Sequence, residues 1–569
     1  MTRTAADIGA GLLPVREPRL IRAGERIHVI GAAGAGASAA ALLAQAAGAV
    51  VSGCDAGGPS PYSVALEAAA IPLAWAHDPA HVRGDPPPDR LAVTKALTAV
   101  APDHPELAAA AELGIPIEPW QQVIADVAVG RTLVAVAGTH GKSTTAGWLT
   151  HVLAAAGLDP AAFVGALLPV SITGRAAATA RQGQGGVFVV EADEYAGNFD
   201  AYRPAIAILT NVEWDHPDVF ADRGAVIDVF ESWLRHGVAD RGGTMPAATA
   251  GGAAGVPATT APALVANIND PGVEQLLAGL GDWPAEIVLT ALIEQDAGPE
   301  RPTLEQLWRA ARASGQRRLL AARIVDTDPD GTTIELFGLE PETVFGSDRG
   351  ASGFGRASAG RPERVPPVGL EVRLPSAGRH NVANALCVAG AAMLLGLPAQ
   401  QVIEGLTSFE GIGRRLERKG EALGVVVYDD YGHHPTAIRE TLGALRQREP
   451  GRRLWAVYEP LTFHRTAALL DDFADVLALA DGVAIADIWP GRDTDRTVTS
   501  SAALADAIRR RRGDPVVATG SVEATADWLA REVRAGDAVL VMGGGRSYRI
   551  GELLLDALQR RAPGASGTA

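Results

Sequence analysis

Short apolar runs, many closing on glycine or a carboxylate, alternate with segments of helical length along most of the chain. Ile27 to Gly31 opens the first such unit, Leu133 to Gly138 the second and Val425 to Asp430 the third. Runs this short, rich in Val, Ile and Leu, read as buried strands, and strands alternating with helices read as parallel sheets with helices on both faces. From Val425 the rhythm is regular. Strands are predicted at Leu454 to Tyr458, Val483 to Asp487, Pro515 to Thr519 and Ala538 to Met542, with amphipathic helices over Thr466 to Leu479 and Val522 to Val533. Two segments break the pattern: Gly242 to Pro262 is almost wholly Gly, Ala, Thr and Pro, and Pro341 to Pro367 is rich in Gly, Ser, Arg and Pro. Neither buries enough apolar surface to offset its ordering entropy, so both are expected as loops bracketing an insertion at about 240–367, a surface appendage. No internal repeat of fixed period is present.

Composition changes the picture in three places. The 569 residues correspond to three or four domains at roughly 150 residues each. The formal charge of −16 argues against a nucleic-acid or anionic-membrane partner and leaves small molecules. Two cysteines, Cys54 and Cys387, make no disulfide framework and no CxxC metal signature, and the N-terminus carries no export pattern, so a cytoplasmic protein is expected. The uncharged runs Ile27 to Cys54 and Asn381 to Ile403 are interrupted by five glycines and by Asn and Gln respectively. They are read as buried elements, not membrane spans. Only three lysines occur, Lys95, Lys142 and Lys419, so a lysine inside a motif carries weight.

One lysine is so placed. Val134-Ala-Val-Ala-Gly138-Thr139-His140-Gly141-Lys142-Ser143-Thr144-Thr145 is a strand running through a glycine turn into a helix. The backbone N–H groups of such a turn cradle phosphate, the lysine neutralises the terminal phosphates and the hydroxyl ligates magnesium. Val136 stands where the full P-loop consensus has glycine, so the match is to the shorter GxxGKS form. The nucleotide candidates are therefore Gly138, Thr139, His140, Gly141, Lys142, Ser143 and Thr144. Downstream, a strand ends in Glu191-Ala-Asp193-Glu194-Tyr195, and another ends in Thr210-Asn211-Val-Glu213-Trp-Asp215-His216. Carboxylates at a strand end beside a phosphate loop are where magnesium is held, so Ser143 and Glu191 are metal candidates, with His216 placed to bind a second magnesium or orient the substrate, and ATP with Mg2+ are the expected cofactors.

In order and spacing these motifs resemble the Mur ligase family, ATP-dependent enzymes that join an amino acid to a carboxylate of a UDP-muramoyl precursor of peptidoglycan. Near the start, Ile27-His28-Val-Ile-Gly31-Ala-Ala33-Gly34-Ala-Gly36-Ala-Ser38 with Val51-Ser52-Gly53-Cys54-Asp55 is similar to the nucleotide-sugar domain of the branch that adds alanine. Arg379-His380-Asn381-Val-Ala-Asn384, Gly413-Arg414-Arg415-Leu416-Glu417 and Tyr428-Asp429-Asp430-Tyr431-Gly432-His433-His434-Pro435-Thr436 resemble segments that hold adenine and join the last two domains. The resemblance covers roughly 25–240 and 368–560. It implies an α/β chain of three domains behind a tail at 1–24: a Rossmann-like N-terminal domain at 25–128 for the UDP-sugar, a central P-loop ATPase domain at 129–408 and a Rossmann-like C-terminal domain at 409–569 for the amino acid. It further implies Lys142, Glu191, His216, Arg414 and His433 as catalytic residues and Asn384 and Asp430 beside the nucleotide. Gly34, Gly36, Ser38, Asp55, Tyr431 and Arg465 would bind the substrates UDP-N-acetylmuramate and L-alanine, in a monomer or homodimer.

The mechanism so implied passes through an acyl phosphate formed from the muramoyl carboxylate and ATP, which the amino group then displaces. Other family members hold a second metal with a carbamylated lysine; none of the three lysines lies at a matching place in the sequence, as in the alanine-adding branch. The family histidine expected in the amino-acid pocket aligns with Leu461, with His464 three positions on as its candidate replacement. Arg546 stands where the family has an acidic or amide residue. Glu194-Tyr195, Tyr428-Asp429-Asp430 and Glu459-Pro460 are similar to the sister branch that returns a tripeptide to UDP-N-acetylmuramate. Three alternatives stay open on the sequence: that recycling ligase, a degenerate nucleotide-binding homologue, and an NAD enzyme using the first glycine turn, in which Ala33 replaces the second glycine of GxGxxG.

Overall fold

The computed structural model describes residues 8–9, 11–101, 103–239, 262–293, 303–313, 317–339, 369–491, 493 and 495–561, arranged around three sheets. The first sheet is parallel, in the order Leu73–Ala74, Val50–Cys54, Arg26–Ile30, Arg90–Val93, Ile117–Pro119. Its helix Ala35–Ala46 is buried along most of its length, on one side against its own sheet and on the other against the second sheet, where Ser38 Oγ lies 3.0 Å from Thr179 Oγ1. A helix covered on both sides has no face for charge, which is why the run Ile27 to Cys54 is uncharged. Among the described residues no helix is long and apolar enough to cross a membrane.

The second sheet has ten strands. Thr132–Ala137 lies between Ile206–Leu209 and Val187–Ala192, and all three run parallel. Their carboxyl ends therefore meet, and they deliver Gly138 to Ser143, Asn211 to His216 and Glu191 to Glu194 to one place, the usual crevice of an open parallel sheet. Beyond Ile206–Leu209 the sheet continues through Ala263–Asn267, Ile287–Ile293, Arg317–Asp328, Gly331–Phe337 and Leu370–Leu374. This corrects the expectation of a surface appendage at 240–367. Its described strands are parallel neighbours of the central ones up to Arg317–Asp328, and Leu264, Val265, Ala266 and Val288 are completely buried. The five-residue strand Ala263–Asn267 escaped notice because a low-complexity run leads straight into it. Most of Gly242 to Pro262 and all of Pro341 to Pro367 lie outside the described residues. Helix Arg379–Leu394 covers the added strands with small side chains, and a Cβ at Gly390 would sit 2.8 Å from Val265 Cγ1.

The third sheet runs Glu417–Ala422, Val425–Asp430, Asp537–Gly543, Arg453–Glu459, Gly482–Ala486, Val516–Gly520, parallel except at its first edge. The four strands predicted after Val425 are present, and helix Val522–Glu532 follows as expected. The helix expected over Thr466 to Leu479 is split at Leu469 into Phe463–Ala468 and Leu470–Leu477.

Candidate active site

The phosphate loop is shaped by two glycines that no other residue could replace. Gly138 has φ +141° and a Cβ there would overlap Thr210, while Gly141 has φ +78° and a Cβ would lie 2.7 Å from Asn384 Oδ1. The loop is tied from the neighbouring strand: His140 N donates to Asn211 Oδ1 at 2.7 Å, and Thr210 Oγ1 and Asn211 Nδ2 donate to the His140 carbonyl at 2.6 and 2.9 Å. Helix Lys142–Ala155 starts there and points its N-terminus into the crevice. Lys142 Nζ donates to the Gly138 carbonyl at 2.6 Å and to Glu194 Oε2 at 3.1 Å, with Asp193 at 3.8 Å. Burial works against its charge, but Glu194, Asp193 and Glu191 outweigh it and hold the ammonium above the ordinary lysine value.

The donor set suits magnesium, which takes hard oxygen ligands. Ser143 Oγ bonds Glu191 Oε1 at 3.0 Å, and Gly165 N fixes the other Glu191 oxygen at 2.6 Å. The structure sorts the three sequence candidates into two groups. Ser143 and Glu191 form one, and His216 joins Asp193 and Glu194 in another whose ligand atoms all lie within 4.8 Å of one another. His216 is held at φ +55° and burial keeps its imidazole below the usual value, hence neutral.

Two cavities meet at the loop, sharing His140, Gly141 and Arg415. One, of about 480 Å3, is lined by His140, Gly141 and Thr144, by Asn269 and Asp270 after the Ala263–Asn267 strand, by His380, Asn381 and Asn384, and by Arg415 and Asp430. It has the amides and carboxylates needed to hold a purine and a ribose beside the phosphate cradle. The other, of about 420 Å3, draws its walls from all three sheets: Gly36 and Trp120 from the first, Lys142, Glu191 and His216 from the second, and Arg415, Tyr431, His433 and Arg465 from the third.

Arg415, which sequence reasoning passed over in favour of its neighbour, is common to both cavities, and its Nη2 donates to Ser143 Oγ at 2.8 Å. Arg414 points away. It bonds Asp429 at 3.0 Å, the Gly543 carbonyl at 2.8 Å and Ser547 Oγ at 2.9 Å, and lines neither cavity. Arg414, expected as catalytic, is thus placed as a brace in this structure: five donors in a rigid fork suit a crossing of loop ends. Both guanidinium groups lie about 5 Å from the Tyr431 ring centre. Asp430 accepts from Leu416 N and Gly432 N at 2.8 and 2.7 Å and so shapes the turn that presents Tyr431 and His433. His433 Nδ1 lies 2.9 Å from the Tyr431 carbonyl, which fixes Nδ1 as the protonated nitrogen. Burial, with Arg465 next, holds this imidazole well below its usual value.

Arg465 is 4% exposed and its Nε donates to Asp215 Oδ1 at 2.8 Å, an ion pair that joins the third sheet to the second. Burial opposes the Asp215 charge, yet Arg465 holds the carboxyl well below its ordinary range. Leu461 lines the three-walled cavity, whereas His464 turns to Asp493, 3.1 Å away, and does not; it is no replacement for the expected pocket histidine. Arg546 makes an exposed pair with Glu523 at 3.5 Å. Of the substrate-binding candidates near the first sheet, Gly34, Gly36, Ser38 and Asp55, only Gly36 lines the cavity, pressed against the Trp120 indole. Gly34 caps helix Ala35–Ala46, Asp55 accepts from Ala33 N and Gly57 N at 3.1 and 2.8 Å and shapes the turn, and Ser38 is turned to Thr179. The hydroxyl of Ser38, expected to bind substrate, is thus placed between two sheets, away from the cavity. Lys95, which its place in the sequence set aside, lines the cavity beside Asp193 with Nζ donating to the Ala196 and Gly197 carbonyls at 2.9 and 2.8 Å.

Comparison with known proteins follows this geometry closely. Family models match in three consecutive blocks: the Mur ligase family catalytic domain at 26–132, the Mur ligase middle domain at 136–236 and the Mur ligase glutamate ligase domain at 414–545. The UDP-N-acetylmuramate–L-alanine ligase of Frankia casuarinae is 34% identical over 95% of this chain and 99% of its own. Among solved structures, the UDP-N-acetylmuramate-alanine ligase of Thermotoga maritima superposes with a TM-score of 0.68 at 21% identity, covering 94% of this chain and 100% of that one. A murein peptide ligase of Psychrobacter arcticus does so at 0.61 and 25% identity, covering 95% and 100%. With the matched blocks running from the first strand to the glycine turn after the last, and a relative this similar over nearly its whole length, the chain belongs to the Mur ligase family.

Proposed function

We propose that this protein is an ATP-dependent ligase that joins L-alanine to the carboxylate of UDP-N-acetylmuramate, yielding UDP-N-acetylmuramoyl-L-alanine, ADP and phosphate for peptidoglycan synthesis in the cytoplasm. The observation that carries the reading is the cavity at Lys142, walled by groups from all three sheets. It suits a reaction of three substrates, with the UDP-sugar on residues 25–128, ATP on 129–408 and the amino acid on 409–569. The full-length relatives named as L-alanine ligases, at 34% identity, favour L-alanine over the tripeptide.

Each chemical step then falls to named groups. A carboxylate oxygen of the muramoyl group attacks the γ-phosphorus of ATP, the bond to the β-phosphate oxygen breaks, and ADP leaves. Lys142, held charged by its carboxylate neighbours, stabilises the negative charge spread over the moving phosphoryl group. Ser143 and Glu191 would hold one magnesium and His216, with Asp193 and Glu194, a second, and metal held there would supply further neutralisation of the phosphates. Arg415 brings a second positive charge from beside the third sheet to the Ser143 hydroxyl of the loop, so the site is complete only when the sheets close on one another. The alanine nitrogen next attacks the acyl carbon and the acyl–phosphate C–O bond breaks. Its surplus proton passes to Nε2 of neutral His433, whose other nitrogen is committed to the Tyr431 carbonyl. A weak base suffices, because nitrogen bonded to a tetrahedral carbon is far more acidic than free ammonium.

The test is phosphate release from Mg-ATP with UDP-N-acetylmuramate, offered in turn L-alanine, glycine, L-serine and the L-Ala-D-Glu-diaminopimelate tripeptide. Dependence on L-alanine is expected. Release only with the tripeptide moves the protein to the recycling branch, and release with none of the four sinks the ligase reading.

A further inference from the structure

Away from this site, four of the twelve histidines and one of the two cysteines gather around a single carboxylate in the first domain. His28 comes from strand Arg26–Ile30, Cys54 from the end of strand Val50–Cys54, His77 and His81 from the loop and short 3-10 helix Pro79–His81, and His104 and Glu106 from the start of helix Pro105–Leu113. Glu106 is fully buried. Cys54 Sγ donates to it at 3.1 Å, His81 Nδ1 lies 2.7 Å away, and His28 Nε2 stands at 3.6 Å, too far for a hydrogen bond. His77 Nδ1 lies 3.3 Å from Cys54 Sγ.

We propose that His28 Nε2, Cys54 Sγ, His81 Nδ1 and Glu106 form a zinc site that ties the first two strands to the helix facing them. Zinc bonds of about 2.0–2.3 Å in a tetrahedron set neighbouring ligand atoms roughly 3.3–3.7 Å apart. The four ligand atoms here lie within 4.8 Å of one another, and the Glu106 carboxylate stands 2.7 to 3.6 Å from the other three. A second, independent observation points to a ligand: His28 is 3% exposed, its Nε2 has no hydrogen-bond partner, and it is aimed into the cluster. Its other nitrogen is 2.9 Å from Ser52 Oγ, an outer contact that fixes the ring; with the Ser52 hydroxyl accepting from Nδ1, Nε2 is available to the ion. One thiolate with two imidazoles selects zinc over magnesium or calcium. His77 and His81 are about a quarter exposed and give the ion a way in from solvent. On binding, the Cys54 thiol loses its proton to solvent, and the thiolate and carboxylate charges balance the dication. The zinc would sit directly under the glycine turn, because Gly31 N and Ala32 N both donate to the Cys54 carbonyl at 2.8 and 3.0 Å.

The experiment uses the full chain, stripped with chelator, held reduced with a phosphine and kept in excess magnesium so that the catalytic carboxylates are occupied. Zinc is added, excess is removed by dialysis, and metal is counted; cobalt is added in parallel and followed by its absorption. One retained zinc per chain is expected, with a thiolate-to-cobalt charge-transfer band. Cys54→Ser should lose that band, and Ser52→Ala should weaken zinc by about ten-fold through loss of the ring contact. The cobalt spectrum of the unaltered chain needs no variant and so stands even if a substitution unfolds the domain. Failure of the unaltered chain to retain zinc, or a cobalt spectrum without the thiolate band, overturns the assignment and leaves Glu106 as a hydrogen-bond hub.

Discussion

Glu459, at the end of strand Arg453–Glu459, is a buried carboxyl whose Oε2 has no hydrogen-bond partner. Burial pushes it up to about 7 from 4.5, with the amides of Ser547 and Arg546 and the Arg414 charge only partly opposing. A carboxyl raised in the folded protein binds more protons there than in the unfolded chain between those two values. Its contribution to stability is therefore complete below pH 4.5 and is lost as pH rises to about 7. The interval is worth about 3 kcal/mol at about 1.36 kcal/mol per pH unit, an upper figure because neighbours relax around a buried charge. Glu459→Gln keeps the shape and removes the titration. The variant should match the parent at pH 5 and melt higher at pH 8, by roughly 6–10 °C at most for a domain of this size. Calorimetry or fluorescence melts at both pH values measure it. An equal difference at pH 5 and 8, or a variant less stable at pH 8, would refute the argument that the charge is buried without compensation.

Other outcomes follow from the site. Arg415→Ala should lower kcat by about 100-fold or more, the usual effect of removing one preorganised donor from developing charge, while equilibrium binding of UDP-N-acetylmuramate is unchanged. Gly36→Ala drives a methyl into Trp120, and overpacking of about 1–3 kcal/mol should raise KM for the UDP-sugar about 5- to 100-fold with little change for ATP. Asp215→Asn leaves Arg465 buried without its charge, a loss of about 3–5 kcal/mol that should appear as a lower Tm and, in solution scattering, as a more open chain. An unchanged scattering profile in that variant would show that the pair does not hold the sheets together.

The strands flanking the phosphate loop and the rhythm after Val425 were legible because short branched runs between turns are a strong local signal. So was the loop, since a lone lysine in a glycine turn is hard to read otherwise. The central extension was not: Ala263–Asn267 is five residues long and follows a Gly/Ala/Pro-rich run, and only pairing with Ile206–Leu209 identifies it as core. The choice between Arg414 and Arg415 was equally closed to sequence. Leu416 and Arg414 both have positive φ, and this backbone twist, invisible in the residue order, sends one guanidinium to Gly543 and the other to Ser143. The placement of Ser38 was closed to sequence for a similar reason, because helix Ala35–Ala46 buries the face that a lone Rossmann-like domain would leave to solvent. Lys95 was set aside by its distance in sequence from the loop, which the packing of the first domain on residues 195–201 removes.

The acyl phosphate is the centre of the account, and isotope transfer tests it most directly. UDP-N-acetylmuramate labelled with oxygen-18 in its carboxylate is turned over with ATP, magnesium and L-alanine, and phosphate and product are weighed by mass spectrometry. The account predicts one labelled oxygen in each released phosphate and one retained in the new amide carbonyl. Phosphate free of label, with the lost labelled oxygen recovered in water, would contradict it.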